Sequence, residues 1–366
     1  MFGAIQGLFS LKWTQQPLLH PLPPTVTRHF VTTDRGPLEL LISEPSKSGT
    51  DTARSHPPVF FIHGGVGSAS VWLEWMDYFS TTSQTTTYAY SLRSHGASYS
   101  VPFWRMTWQT SLDDLAQDLT ACVQEVRRRE GQDPVLVAHS SGGGLVQYAL
   151  SKRQIQGRGL VLLGAVPHFG NVNVYWNWFR RIDPWFSLRA LFHLYHPNSP
   201  LSTPRLVYNA FFGPEYPFHR VAEFMKWMSN YEAMFWPLGM AGRGRGIQNR
   251  TWLSPADILK SLTQWQGASQ KIMVMIGTED KIMGGTQFRM VEEYRAAIAQ
   301  LPNQSSTKAD AAKMDQVSLV RVSNGVKEQD FGRVRLAEVE NAGHHTQNDV
   351  QWKAAAESLR KFVDQV

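Results

Sequence analysis

One stretch of the chain, Val135–Leu150, constrains the fold more than any other. It begins with three apolar residues typical of a buried strand, places Ser140 at a turn and continues through three glycines into a predicted helix. A strand that turns directly into a helix needs small residues around the turning residue, whose backbone is strained and whose side chain points outward. Ser140 is therefore expected to expose its hydroxyl. The amide of Ser141, at the helix N-terminus, can donate to an oxyanion.

Apolar strands alternate with helices along most of the chain. Besides the strand before Ser140, the predicted strands are Arg28–Thr33, Leu38–Ser43, Pro58–Ile62, Thr87–Leu92, Gly159–Leu163, Lys271–Ile276 and Val334–Val339. The clearest amphipathic helix is Ser111–Glu130, whose apolar residues recur every three or four positions. This alternation favours right-handed crossovers, and hence an α/β fold with a doubly wound, mostly parallel sheet of eight strands.

The composition and the apolar pattern of the sequence change after Pro167. Nineteen aromatic residues lie between Phe169 and Trp236, prolines interrupt the segment repeatedly, and no strand pattern is visible. Several short helices are therefore predicted. Some of the rings must supply the apolar contacts that an insertion of this size needs, and others can line a pocket beneath a cap. The predicted organisation is an N-terminal lead (1–27), a first core part (28–166), a helical cap (167–250) and a second core part (251–366) with a polar insertion (302–330).

Composition argues against several classes of protein. The 366 residues are 42% hydrophobic and 18% charged, which is ordinary for a globular enzyme. The net charge of +6 arises from scattered basic residues rather than a stripe, which argues against nucleic-acid binding. No apolar run approaches the roughly 18 residues of a transmembrane segment. The single cysteine, Cys122, can form no internal disulfide, which favours a reducing, cytoplasmic compartment.

Two motifs carry a resemblance to a known family. The segment Ala138–Gly142 resembles the G-x-S-x-G nucleophile elbow of the α/β-hydrolase family, with Ala at the first glycine position. The segment Phe60–Gly67 is similar to the His-Gly segment after the third strand of that family. The resemblance implies an eight-stranded α/β-hydrolase sheet with an inserted cap and Ser140 as nucleophile. It also implies an oxyanion hole formed by the backbone amides of Gly65 and Ser141.

The acid that would orient a catalytic histidine is predicted in Ile276–Asp280. A carboxylate just after a buried strand can accept an imidazole N–H and fix the tautomer of the ring. Asp280 matches the acid position of the family, and Glu279 is its neighbouring competitor. Some members of the family take the acid from the loop after the preceding strand. The corresponding segment here, Gly164–Gly170, contains no carboxylate, which favours Asp280.

The base is predicted in Asn341–His345, after the last strand. A flexible glycine before the histidine allows the ring to reach back over the sheet, and by resemblance His344 is the base and His345 a bystander. Ser140, Asp280 and His344 also follow one another in the serine, acid, histidine order of this fold.

These residues predict a serine hydrolase that cleaves an ester, lactone or thioester by acyl transfer. The aromatic cap favours a hydrophobic small-molecule substrate, and resemblance to other capped hydrolases suggests lipid or natural-product (secondary) metabolism. No cofactor or metal is expected, because Gly142–Gly144 lacks the Lys-Ser/Thr of a phosphate-binding loop and no metal-ligand cluster is recognisable. Two alternatives stay open: non-hydrolytic use of the same site, as in a lyase or cyclase, and a hydrolase-like receptor for a hydrophobic ligand. The substrate and the oligomeric state do not follow from the sequence.

Overall fold

The computed structural model describes residues 9–45, 56–244, 250–263, 271–301 and 318–366. A single ten-stranded sheet forms its centre. In chain order the strands are β1 (Val26–Thr33), β2 (Gly36–Ser43), β3 (Val59–Ile62), β4 (Thr87–Tyr90), β5 (Val135–His139), β6 (Gly159–Leu163), β7 (Ile272–Gly277), β8 (Ser318–Ser323), β9 (Val326–Phe331) and β10 (Val334–Val339). Their order across the sheet is β1-β2-β4-β3-β5-β6-β7-β10-β9-β8. The six strands from β4 to β10 in this order are parallel, and the two edges are antiparallel. The predicted α/β class and mostly parallel sheet are confirmed.

The prediction of eight strands was wrong, because β8 and β9 add an antiparallel hairpin beside β10. Both strands lie in or at the end of the segment predicted as a polar insertion, whose residues 302–317 are outside the described part. In β9 only Val326 is buried, so this strand shows little of the apolar alternation by which strands are recognised. The turn itself carried a signal. Asn324 and Gly325 both have positive φ, 52° and 76°, as in the two-residue Asn-Gly turn of a tight hairpin.

Twelve α-helices accompany the sheet in the described residues. They are α1 (Leu73–Thr82), α2 (Phe103–Gln109), α3 (Leu112–Glu130), α4 (Ser140–Ser151), α5 (Val172–Asn177), α6 (Phe186–Phe192), α7 (Pro204–Phe211), α8 (Val221–Met225), α9 (Phe235–Gly239), α10 (Pro255–Leu259), α11 (Gln287–Ala299) and α12 (Trp352–Val363). The predicted amphipathic helix is confirmed as α3. Its N-cap, Ser111, forms a reciprocal capping box with Asp114, and Gly131 ends the helix in the left-handed conformation. None of the described helices is both long and apolar enough to cross a bilayer.

The central parallel strands of the sheet are buried on both faces. In β3, Phe60 and Ile62 point into one apolar core, whereas Val59 and Phe61 point into the other. Alternate residues of a strand face opposite sides, so helices must cover both sides of such a strand. Helices α3 and α4 contribute to the first core, and α1 and α12 contribute to the second. The carboxyl ends of the parallel strands are thereby held at one rigid edge of the sheet.

The segment between β6 and β7 contains the short helices α5 to α9. Some of its prolines start helices: Pro204, for example, is the first residue of α7. Apolar residues of the segment, such as Val207 and Trp236, belong to the same core as the first face of the sheet. We keep the name cap for residues 167–250, and its division from the core stays a proposal.

Candidate active site

The turn from β5 into α4 has the geometry expected of a nucleophile elbow. Ser140, the first residue of the helix, has a φ of +53°, a conformation that is uncommon for a residue with a side chain. Two glycines allow the tight packing behind it. A Cβ on Gly142 would lie 2.2 Å from the carbonyl oxygen of His63, and one on Gly143 would lie 2.3 Å from the Cβ of Ala165. No larger residue fits at either position without displacing the backbone or a buried neighbour.

Asp280 lies in the turn that follows β7, and its carboxylate is fully buried. Its Oδ1 accepts hydrogen bonds from the backbone amides of Ile282 and Met283, both at 2.8 Å. Its Oδ2 lies 2.8 Å from Nδ1 of His344. Glu279, the competing acid, is exposed. The structure therefore brings Asp280, and not Glu279, to the histidine.

His344 completes a continuous hydrogen-bonded chain, since its Nε2 lies 2.9 Å from Oγ of Ser140. The loop that carries it is tied to the cap by Asp349. One oxygen of that buried carboxylate accepts hydrogen bonds from the amide of Gly343 at 2.7 Å and from that of Gly213 at 2.8 Å. Burial raises the pKa of Asp349, although these amides partly oppose the rise. The three side chains singled out from the sequence thus meet at one point.

Three further imidazoles surround this chain, and all of them are held neutral. Burial, followed by repulsion from neighbouring imidazoles, lowers the pKa of His63 and that of His345 to about 3. The same causes lower the pKa of His139 well below its usual value. The Nε2 of His139 donates to the backbone carbonyl of His344 at 3.0 Å, and this hydrogen bond helps to fix the loop that carries His344. These histidines contribute packing and orientation without adding positive charge beside His344.

The backbone segments predicted to form an oxyanion hole face each other beside Ser140. A Cβ on Gly65 would lie 3.4 Å from Oγ of Ser141, so the two chain segments are in close approach. Ser141 is the second residue of α4, and the amides of the first turn of a helix have no partner within that helix. The next amide, that of Val66, donates to Oε2 of Glu232 at 2.8 Å. The role of the Gly65 and Ser141 amides stays a prediction.

Glu232 and His95 form a buried pair that the sequence reasoning missed. Oε2 of Glu232, in the cap, lies 2.9 Å from Nε2 of His95, in the core. Nδ1 of the same ring lies 2.8 Å from the carbonyl oxygen of Arg93, which can only accept, so this nitrogen carries a proton. Burial by itself would lower the pKa of His95, but the carboxylate outweighs it and the pKa is raised. An imidazolium–carboxylate pair therefore joins cap to core next to the Gly65 segment.

No local pattern would have revealed that pair. Glu232 is the single acid among the residues 224–236, which are largely aromatic and apolar, and this contrast was the one available signal. Its partner is 137 positions away in the chain.

A cavity of about 300 Å³ lies over the serine. Its floor includes Ser140 and His344, and its walls are mostly apolar side chains of the cap. Six aromatic residues of the cap line it: Tyr175, Trp178, Phe186, Tyr195, Phe211 and Trp236. A larger polar cleft of about 590 Å³ around Arg93 contains none of the residues that meet at Ser140. In the described part of the chain, no three His, Cys, Asp or Glu side chains are grouped so that they could hold a metal ion.

Known proteins share this architecture. Residues 59–356 match the model of a family described as the alpha/beta hydrolase family. No curated protein matches the sequence. Among solved structures, VinJ is similar with a TM-score of 0.58 and 17% identity, covering 94% of this chain and 100% of that one.

Two other solved structures are similar at lower identity. A membrane phospholipase A, described as a bacterial virulence factor, has a TM-score of 0.56 and 14% identity over 93% of this chain and 86% of its own. The enol-lactonase from Burkholderia xenovorans LB400 has a TM-score of 0.54 and 13% identity over 92% of this chain and 100% of its own. At such identities the likeness shows the fold alone. Because the family model covers most of the sequence and the fold agrees with it, this chain belongs to the alpha/beta hydrolase family.

Proposed function

We propose that this protein is a serine hydrolase that cleaves an ester, lactone or thioester bond of a hydrophobic small molecule. The observation that carries the proposal is the hydrogen-bonded chain Asp280–His344–Ser140, with distances of 2.8 and 2.9 Å, which ends in an apolar cavity. A serine is a weak nucleophile by itself, and a histidine held in the right tautomer by a buried carboxylate activates it.

In the proposed reaction, Oγ of Ser140 attacks the substrate carbonyl carbon while Nε2 of His344 takes the hydroxyl proton. The carbonyl oxygen becomes an oxyanion, which the amides of Gly65 and Ser141 stabilise. The intermediate then expels the alcohol or thiol, which receives the proton from His344. Water, deprotonated by the same nitrogen, attacks the acyl-serine, releases the acid and restores Ser140. Asp280 keeps its hydrogen bond to Nδ1 of His344 throughout and stabilises the imidazolium that forms twice.

The cavity supports a hydrophobic substrate. Its walls are aromatic and aliphatic, and Glu232, the acid that contributes to them, is engaged with His95. That pair carries no net charge, and no arginine or lysine of the described residues lines the cavity, so an anionic group would lose its hydration there without gaining a cation as its partner. The names of two structural relatives, a membrane phospholipase A and an enol-lactonase, are compatible with ester-type bonds. A role in lipid or natural-product metabolism is part of the proposal.

The test is the loss of activity in Ser140→Ala. Hydrolysis of a chromogenic ester with a medium-length acyl chain should fall by on the order of 10⁶, as in enzymes that lose their nucleophile. Ser151→Ala, at the other end of α4, is the matched control and should hydrolyse the ester at the wild-type rate. A fluorophosphonate probe should label the wild type at Ser140 and leave Ser140→Ala unlabelled. Unchanged hydrolysis in Ser140→Ala would refute the assignment. Labelling without turnover of any ester would instead favour the lyase, cyclase or receptor alternatives.

A further inference from the structure

Large apolar side chains are exposed together on the outside of the cap. Six of them fall within 17 consecutive residues and have exposed fractions between 45% and 68%. They are Trp176, Phe179, Trp185, Leu188, Leu191 and Phe192, which we call the outer cap face. Single exposed apolar residues are ordinary on a protein surface, but a contiguous group of this size marks a surface that contacts a partner or a membrane.

Helix α6 shows how this surface arises. Trp185, just before the helix, and Leu188 and Phe192 within it are spaced by three and four residues, which places them on one side. Phe186 and Ala190 lie on the opposite side and line the cavity over the serine. The helix is therefore apolar on both sides. One side faces the cavity, and the other side faces outward.

The charged side chains of the segment that carries the outer cap face are almost all positive. Asp183 is the single acid from residue 171 to residue 214, and it is paired with Arg189 at 2.9 Å. Arg180 and Arg181 are exposed, and the guanidinium of Arg180 lies 5.5 Å from the centre of an outer-face tryptophan ring. Exposed Trp, Phe and Leu combined with arginine are the composition of surfaces that insert into the boundary layer of a bilayer. Arginine adds attraction to anionic lipid headgroups.

Two tyrosines connect the lining of the cavity with this surface. Tyr175 and Tyr195 line the cavity and are also exposed, by 38% and 54% respectively. Both residues belong to the segment that carries the outer cap face. A surface that covers the outer cap face would therefore lie next to the cavity that contains Ser140.

We propose that the outer cap face docks onto an anionic lipid surface. A second copy of the chain could also cover the apolar side chains, but the exposed arginines of two copies would then be brought together and repel each other. Anionic headgroups complement the same arginines, while the rings and leucines enter the acyl boundary. The surface is separate from the residues proposed to catalyse hydrolysis.

The proposal is tested by vesicle flotation with full-length Ser140→Ala protein, so that no lipid is hydrolysed and the result does not depend on the proposed hydrolase activity. Vesicles of phosphatidylcholine with phosphatidylglycerol should carry the protein upward, and added salt should weaken the binding. The triple variant Trp185→Ser, Leu188→Ser, Phe192→Ser should bind at least about tenfold more weakly, because affinity scales with the apolar area buried. Arg180→Gln with Arg181→Gln should reduce the preference over phosphatidylcholine alone.

The matched control replaces exposed apolar residues of the two sheet edges, Phe30→Ser with Val322→Ser, and should float like the parent protein. Circular dichroism of each variant checks that the fold is kept. The proposal is overturned if the parent protein stays unbound with anionic vesicles, or if the control variant loses as much binding as the triple variant. It is also overturned if the parent protein forms a dimer that binds no vesicle, and the triple variant is a monomer.

Discussion

Replacing Asp280 by asparagine should change which ring nitrogen of His344 carries the proton, while leaving the fold intact. Oδ1 of Asp280 accepts from the amides of Ile282 and Met283, so an asparagine must place its carbonyl oxygen there and its NH₂ group toward His344. That group donates, and Nδ1 of the imidazole must then accept. The ring proton moves to Nε2, which faces Oγ of Ser140 and can no longer take the serine proton.

The expected loss in kcat/KM for the chromogenic ester is about 10⁴-fold, the effect of trapping the wrong tautomer in a serine-histidine-acid site. This corresponds to about 5.5 kcal/mol of transition-state stabilisation at 1.36 kcal/mol per tenfold change. Because every hydrogen bond of the site keeps a partner, the thermal unfolding midpoint of Asp280→Asn should change by only about 5 °C or less. Glu279→Gln, an exposed acid at the adjacent position, is the control and should retain wild-type kinetics. Retention of more than about a tenth of the activity in Asp280→Asn, or a larger loss in Glu279→Gln, would refute the reasoning.

Two further predictions concern the supports of the site. Because Glu232 raises the pKa of His95 above its ordinary value of 6.5, the folded protein binds this proton more tightly than the unfolded chain. The pair therefore stabilises the fold below pH 6.5, and this contribution is lost as the pH rises through the folded-state pKa. Urea unfolding from pH 6 upward should show a steeper decline in the wild type than in Glu232→Gln, and equal slopes would contradict the pairing. Gly142→Ala should destabilise the protein by about 3 kcal/mol or more and abolish hydrolysis, since its Cβ would lie 2.2 Å from a backbone carbonyl oxygen. Gly144→Ala, whose Cβ meets the flexible end of Met240, should cost much less in thermal unfolding, and equal losses would argue against the elbow packing.

The sequence alone determined the local elements and most of the candidate site. Buried strands and the helix α3 were predictable because apolar periodicity reflects which side of an element is buried. The elbow at Ser140 was predictable because a turn from strand to helix demands small residues at fixed positions, and the φ of +53° at Ser140 agrees with it. The choice of Asp280 over Glu279 required the resemblance to the family, and the contact with His344 comes from the fold.

Tertiary structure decided the features that depend on distant partners. Strand β9 joins the sheet by pairing with β10, and Val326 is its one buried residue, so the apolar pattern of β9 is weak. The pair of Glu232 and His95 joins residues 137 positions apart, and neither residue type indicates its partner. Likewise, both sides of α6 are apolar in sequence, and only the packing of the cap shows which side lines the cavity and which faces outward. Local sterics and periodicity depend on residues that are neighbours in the sequence. The contacts that shape the pocket and the outer cap face form only when distant segments meet.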